Sequence, residues 1–177
     1  MKKKSSNPVK KADLSIQRRV QELKPKKHFN LDTSLKWMPL AALFALDAFS
    51  DDPKEKLEKH IIEVAAAELL LNLTIEPLKR LFMRQRPDGK PESFPSSHTA
   101  TSFLGSEMLR QELKDEHPVA GYAGYMISTS SAVLRLYHNK HWFSDVLAGA
   151  VLGVLAVKLS PVLMDKIIYG TNIQPAV

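Results

Sequence analysis

The stretch Leu134-Arg135-Leu136-Tyr137-His138-Asn139-Lys140-His141-Trp142-Phe143-Ser144-Asp145 closes one apolar segment and opens another. Whatever this chain folds into must turn there and keep several polar side chains at the turn. His141 and Asp145 are four residues apart, so on a helix they share a face and can touch. A carboxylate beside an imidazole fixes its tautomer and supports the cation that forms during proton transfer. Arg135 precedes the polar break at Asn139-Lys140 and can reach the same point from the end of the preceding helix, where its planar fork suits a phosphate. Taken alone, the stretch fits a solvated helix-loop-helix corner equally well.

Two further stretches lie at similar borders. Lys79-x6-Arg86-Pro87 puts two cations at the end of another apolar segment, and Pro95-Ser96-Ser97-His98 puts hydroxyls, backbone amides and a histidine at the start of a helix. Periodicity and breakers predict helices over Asp13–Leu23, about Thr33–Ala48, Pro53–Phe82, Ser96–Asp115, Val119–Leu136 and His141–Pro161, with an amphipathic turn over Met164–Tyr169. Asp52, Pro53 and Glu55 form the start signal of the third, and Pro77 is expected to kink it. The segment around Ala120, Gly121, Ala123, Gly124 and Ser128 is rich in small residues, which let helices approach closely. The expected fold is all-α: an up-down bundle of about six helices. Counting directions along such a bundle brings all three stretches to one end. Each group also has a plainer role. His98 and His141 could be satisfied polar residues at helix ends, and Lys79 and Arg86 could complement a helix dipole.

The net charge of +6 is unevenly placed. Residues 1–30 hold ten Lys/Arg against two Asp/Glu, so the remainder carries −2. The basic character belongs to a tail, read as disordered over residues 1–11 and then as a short amphipathic helix with Ile16, Val20 and Leu23 on a core-facing stripe. Residues 31–170 form the expected catalytic domain. Few aromatics and no recognisable module argue against a nucleic-acid partner. There is no cysteine, hence no thiolate chemistry or disulfide framework. No apolar stretch follows Met1-Lys2-Lys3-Lys4, so no signal peptide is expected.

At the common end, Lys79, Arg86 and Arg135 could neutralise a phosphate monoester, with amides at the start of the fourth helix as added donors. His141 could attack phosphorus, Asp145 could hold its ring, and His98 could protonate the leaving alcohol and later activate water. Three cations would replace a metal, so no cofactor is expected. In residue type, spacing and order, the three stretches resemble the signature blocks of the type 2 phosphatidic acid phosphatase (PAP2) superfamily, which also includes bacterial acid phosphatases and vanadium haloperoxidases. The resemblance covers roughly residues 79–160. It implies that Lys79, Arg86 and Arg135 bind phosphate, that His141 is the nucleophile oriented by Asp145, that His98 is the general acid, and that Ser96 touches the phosphate. Two positions depart from the pattern: Ser97 stands where the family usually has glycine, and Leu134 where it usually has serine. Ser97 can still offer its amide to the phosphate.

The implied substrate is a phosphomonoester or diphosphate, on a lipid such as phosphatidic acid, phosphatidylglycerophosphate, an isoprenyl diphosphate or lipid A, or on a small soluble ester. The longest charge-free run, Pro118–Leu134, has 17 residues, and Val146–Val157 and Trp37–Leu46 are shorter. A spanning helix needs about 20. Two or three spans are expected, with the protein integral to a bacterial inner membrane and membrane lipids as partners. Other readings are a soluble acid phosphatase, a vanadate-dependent haloperoxidase, and an inactive lipid-binding scaffold.

Overall fold

The computed structural model describes residues 7–23 and 31–168. Its elements are α1 (Pro8–Glu22), α2 (Asp32–Ala48), α3 (Pro53–Phe82), α4 (Ser97–Leu113), the single turn α5 (Pro118–Gly121), α6 (Ala123–Tyr137) and α7 (Phe143–Ile168), with no strand among the described residues. The all-α expectation holds, and most boundaries fall within two residues of those read from the sequence.

α4 is the central helix. Ala100, Leu104, Met108 and Leu109 are buried, and they join Leu40 and Leu43 of α2, Ala67, Leu71 and Ile75 of α3, and Ala156 and Val157 of α7 in one core. α4 and α7 cross very closely. A Cβ at Gly149 would lie 2.5 Å from the Ser96 carbonyl oxygen, and one at Gly153 would lie 2.1 Å from that of Ala100. Only glycine permits this approach. It also sets the register in which the starts of α4 and α7 meet.

Pro77 lies within an uninterrupted α3; other expectations are corrected. Leu73, whose carbonyl would otherwise receive that missing N–H, is exposed together with Pro77, so the helix loses a bond on its outer face and continues. α7 likewise runs past Pro161 to Ile168 rather than ending there. The carbonyl of Val157, deprived of its partner by Pro161, accepts a hydrogen bond from the Ser160 hydroxyl at 3.3 Å. Tyr169, the expected end of the final turn, lies outside the described residues. The expected helix over Val119–Leu136 is divided at Tyr122, where Gly121 packs against the backbone of Arg110.

α1 differs most from expectation. It begins at Pro8, capped by the Asn7 side chain, so Pro8–Lys11 are helical; residues 1–6 lie outside the described residues. Its buried residues are Asp13 and Gln17, whereas Ile16 and Val20 are half-buried and Leu23 is exposed. The helix does pack on the domain, against α6 and α7, and Val20 of the apolar stripe lies on the core cluster of Ala132, Leu136 and Val146 as expected, but its most buried residues are polar.

Candidate active site

Four segments meet at the end of the bundle where α4 and α7 begin. The left-handed Met83 (φ 41°) ends α3 and releases the chain into the loop that carries Arg84, Arg86 and Ser93. Gly89 (φ 87°) closes the turn after Arg86, its N–H donating to the Arg86 carbonyl at 3.0 Å. The Asp88 amide then donates to Asn139 O at 3.1 Å, tying this loop to the one between α6 and α7. The Ser96 amide donates to Asp145 O at 3.0 Å, joining the start of α4 to that of α7.

His141 is almost fully buried, and its Nδ1 lies 2.9 Å from the carbonyl oxygen of Ser93. A carbonyl can only accept, so Nδ1 carries the hydrogen and Nε2 keeps its lone pair. His98 is held the same way. Its Nε2 donates to the Asp32 carbonyl oxygen at 2.9 Å, leaving Nδ1 to take up and give a proton. Burial, reinforced by Arg135 and Arg86, pushes His141 down to about 3. Burial and then Arg135 push His98 down to about 4. Both rings are therefore neutral around pH 7 in the ligand-free protein, and both lie within the field of Arg135.

The expected partnership of His141 with Asp145 takes another form. His141 precedes the first residue of α7, so the i,i+4 geometry of a helix does not apply, and Nδ1 is 3.9 Å from Asp145 Oδ2. The Asp145 carboxylate is already filled. Oδ1 accepts from Arg84 Nη1 at 2.7 Å, while Oδ2 accepts from the Trp142 amide at 2.8 Å and in a short bond from the Ser93 hydroxyl. Asp145 thus holds the residue whose carbonyl holds His141.

The other sequence candidates divide into engaged and unengaged groups. The Ser96 hydroxyl caps α4, accepting from the Thr99 amide at 3.3 Å and lying 3.0 Å from Thr99 Oγ1. It is thus occupied locally rather than turned to a ligand. The hydroxyl of Ser97, by contrast, is buried without a partner, as are Nε of Arg86 and Nε of Arg135. Arg135 Nη1 donates to Asp32 Oδ2 at 2.7 Å. Lys79, in the last turn of α3, pairs with Glu76 at 3.0 Å.

Four residues at this end escaped sequence reasoning in these roles. Asp32 bonds both Arg135 and His98, and Ser93 orients His141. Arg84 bridges Asp145 and Asp13. Asp13 lies on α1. Only Arg84 carried a signal, since it sits two residues from Arg86 in the same loop.

Alongside lies a cavity of about 680 Å³ walled by Val9, Leu14, Phe82, Phe94 and Trp142 together with Lys10, Arg84 and Arg86. It is apolar with a cationic rim, and Arg86 belongs to both the cavity and the cation set around His141.

Comparison with known proteins agrees with the all-α fold and gives the family. The family model of the PAP2 superfamily matches residues 61–169. A lipid A 1-phosphatase of Porphyromonas gingivalis is 32% identical over 142 residues, which are 79% of this chain and 32% of that protein. The chain therefore spans about a third of the length of this curated relative. Among solved structures, a transmembrane PAP2-type phosphatidylglycerolphosphate phosphatase of Bacillus subtilis superposes with a TM-score of 0.67 at 21% identity, covering 92% of this chain and 89% of that one. LpxE of Aquifex aeolicus superposes with a TM-score of 0.61 at 22% identity, covering 84% and 93%.

Proposed function

The chain belongs to the PAP2 superfamily, and from that premise we propose that it is a metal-independent phosphatase acting on a lipid phosphate through a phosphohistidine. One observation carries the reading. Three buried polar groups at this end lack partners: Arg86 Nε and Arg135 Nε, whose charges act on a neutral, carbonyl-oriented His141, and Ser97 Oγ, one residue before His98 at the start of α4. Buried donors cost free energy when left unpaired, and a phosphate would satisfy all three.

The chemistry follows from the tautomers. The Nε2 lone pair of His141 attacks phosphorus, forming the P–N bond as the ester P–O bond breaks. Nδ1–H stays on the Ser93 carbonyl, which supports the positive ring. His98, once protonated, gives its Nδ1 proton to the leaving alkoxide. It then takes a proton from water as that water attacks phosphorus and frees His141. The substrate's two negative charges raise the pKa of His98 and so supply the protonated acid that the empty pocket disfavours. Lys79 would join by turning from Glu76.

The lipid assignment rests on surfaces. Phe143–Asp165 is the one stretch among the described residues long and apolar enough to cross a membrane. Leu147, Val151, Leu155, Leu159 and Val162 form an exposed apolar row along it, and Leu69, Leu73 and Met126 are exposed on α3 and α6. Apolar faces of this extent suit a bilayer. The adjoining cavity offers apolar walls to a substrate's non-phosphate body, and the curated relative is by name a lipid phosphatase. We place the protein in a bacterial inner membrane with phosphate chemistry at the end where α7 begins.

The test is phosphate release from phosphatidic acid, lipid A and a soluble aryl phosphate, in EDTA, by the wild type and by His141→Ala. Activity that survives EDTA and falls at least about 10³-fold in the variant is expected, with a lipid preferred. Equal rates in His141→Ala would exclude the histidine nucleophile. Preference for the aryl phosphate would favour a soluble-substrate enzyme of the same family.

A further inference from the structure

α1 makes its side-chain hydrogen bonds to the rest of the chain through one residue per turn. Asp13, Gln17 and Gln21 stand at i, i+4 and i+8, on one face. Asp13 Oδ1 accepts from the Ser144 amide at 2.9 Å, and its Oδ2 accepts from Ser144 Oγ at 2.8 Å and from Arg84 Nη2. Gln17 Nε2 donates to Leu136 O at 3.1 Å and to Asn139 Oδ1. Gln21 Nε2 donates to Tyr137 O at 3.1 Å. Apart from Arg84, every one of these partners lies between Arg135 and Asp145, in the segment that presents His141. Two are among the last carbonyls of α6, which have no partner within their own helix. A helix that served only to cover apolar surface would bury apolar residues most deeply; this one packs Val20 on the core but buries Asp13 and Gln17 further.

We propose that α1 is a positioning clamp for the 136–144 segment, and that Asp13 is its chief positioning residue. Asp13 holds Arg84, Arg84 holds Asp145, Asp145 holds Ser93, and the Ser93 carbonyl sets the His141 ring. Asp13 acts through this chain of contacts and through its two hydrogen bonds to Ser144. The clamp is independent of which phosphate is bound; its activity readout rests on the phosphatase reading, its structural readout does not.

The test uses the full chain and the variants Asp13→Ala, Asp13→Asn, Arg84→Ala and the double Asp13→Ala/Arg84→Ala. Misplacing a reacting group by about 1 Å costs on the order of 100-fold. Asp13→Ala should therefore lower kcat about 10- to 100-fold, by more than it changes KM, since Asp13 touches none of the cations proposed to bind phosphate although it lines the cavity beside them. Asp13→Asn, which keeps the shape but not the charge, should recover part of the loss. Residues acting along one route are not additive; because Asp13 also holds Ser144, the double variant should be slower than Arg84→Ala alone but should lose less than the product of the two single losses. Amide hydrogen exchange supplies the substrate-free readout: Asp13→Ala should speed exchange over residues 136–144 and leave 97–113 unchanged. A folded Asp13→Ala with unaltered kcat and exchange would overturn the clamp, and multiplicative losses in the double variant would overturn the route through Arg84. Faster exchange throughout the chain with full activity per folded molecule would reduce Asp13 to a general stabiliser. A wild type silent on every phosphate ester, with faster exchange confined to 136–144 in the variant, would sink the phosphatase reading and leave the clamp standing.

Discussion

The bundle holds a buried histidine cluster at each end. Where α2 finishes, His60 Nδ1 lies 2.8 Å from Asp47 Oδ2 and its Nε2 lies 3.5 Å from Glu112, which also pairs with Lys56 at 2.7 Å. Where α2 starts, His98 and His141 lie among Arg86, Arg135 and Asp32. The first cluster is closed: its ring nitrogens both face carboxylates, and Asp47 is fully buried against His60. The second ties each ring to a backbone carbonyl and leaves Arg86 Nε, Arg135 Nε and Ser97 Oγ unpartnered. A buried histidine with a carboxylate is therefore a poor mark of a reactive site in this molecule. The surplus of cations and donors around the ring is the better one.

The largest expected contrast lies in activity. Arg135→Met removes the charge that acts on both site histidines and leaves Asp32 without its ion-pair partner. Removing one donor of a preorganised anion site typically costs 10²- to 10³-fold, so kcat/KM should fall by about 10²-fold or more. A fall below tenfold would mean that the surplus at this end is not used for substrate.

The opposite end should answer in stability. His60→Leu leaves the Asp47 carboxylate buried and unpaired, and breaking such a pair costs about 3 kcal/mol. Denaturant melts should show that loss while kcat/KM per folded molecule stays within about twofold. A variant that folds well but loses activity would erase the distinction between the clusters.

How much of this was legible beforehand follows the same division. The bundle was readable because apolar periodicity and breakers mark helices locally, and the three borders needed only a count of directions to share one end. The meeting of the motif residues was readable too: His98, Arg135, Arg86 and His141 do come together. What stayed hidden was long-range partnership. Asp13 reaches Ser144 across 131 residues and Asp32 reaches Arg135 across 103, and no local pattern encodes either. The spacing of His141 and Asp145 misled because it presumes a helix that begins two residues too late. The apolar stripe of α1 told only part of the packing: Val20 does lie on the core, but the deepest contacts are the hydrogen bonds of Asp13 and Gln17. Ser96 and Ser97 are adjacent and chemically alike, so only the capping geometry could separate the engaged hydroxyl from the free one.

The smallest effect, and the most specific to the proposed phosphate seat, is on acid stability. His98 and His141 have folded-state values of about 4 and about 3, below the unfolded value of about 6.5. Between those values the unfolded chain binds protons that the folded chain does not. The stability they lend is thus complete above about pH 6.5 and is lost as pH falls, with a slope of at most about 1.4 kcal/mol per pH unit for each ring. Inorganic phosphate seated between Arg86 and Arg135 would offset the cations that contribute to the lowered values. It should raise both pKa values and flatten the slope between pH 4 and 6, relative to chloride at equal ionic strength. The effect should persist in His60→Leu and shrink in Arg135→Met, because only the second change removes a charge that acts on these rings. Denaturant melts across that range measure it, and a slope indifferent to phosphate would place the anion away from the two histidines.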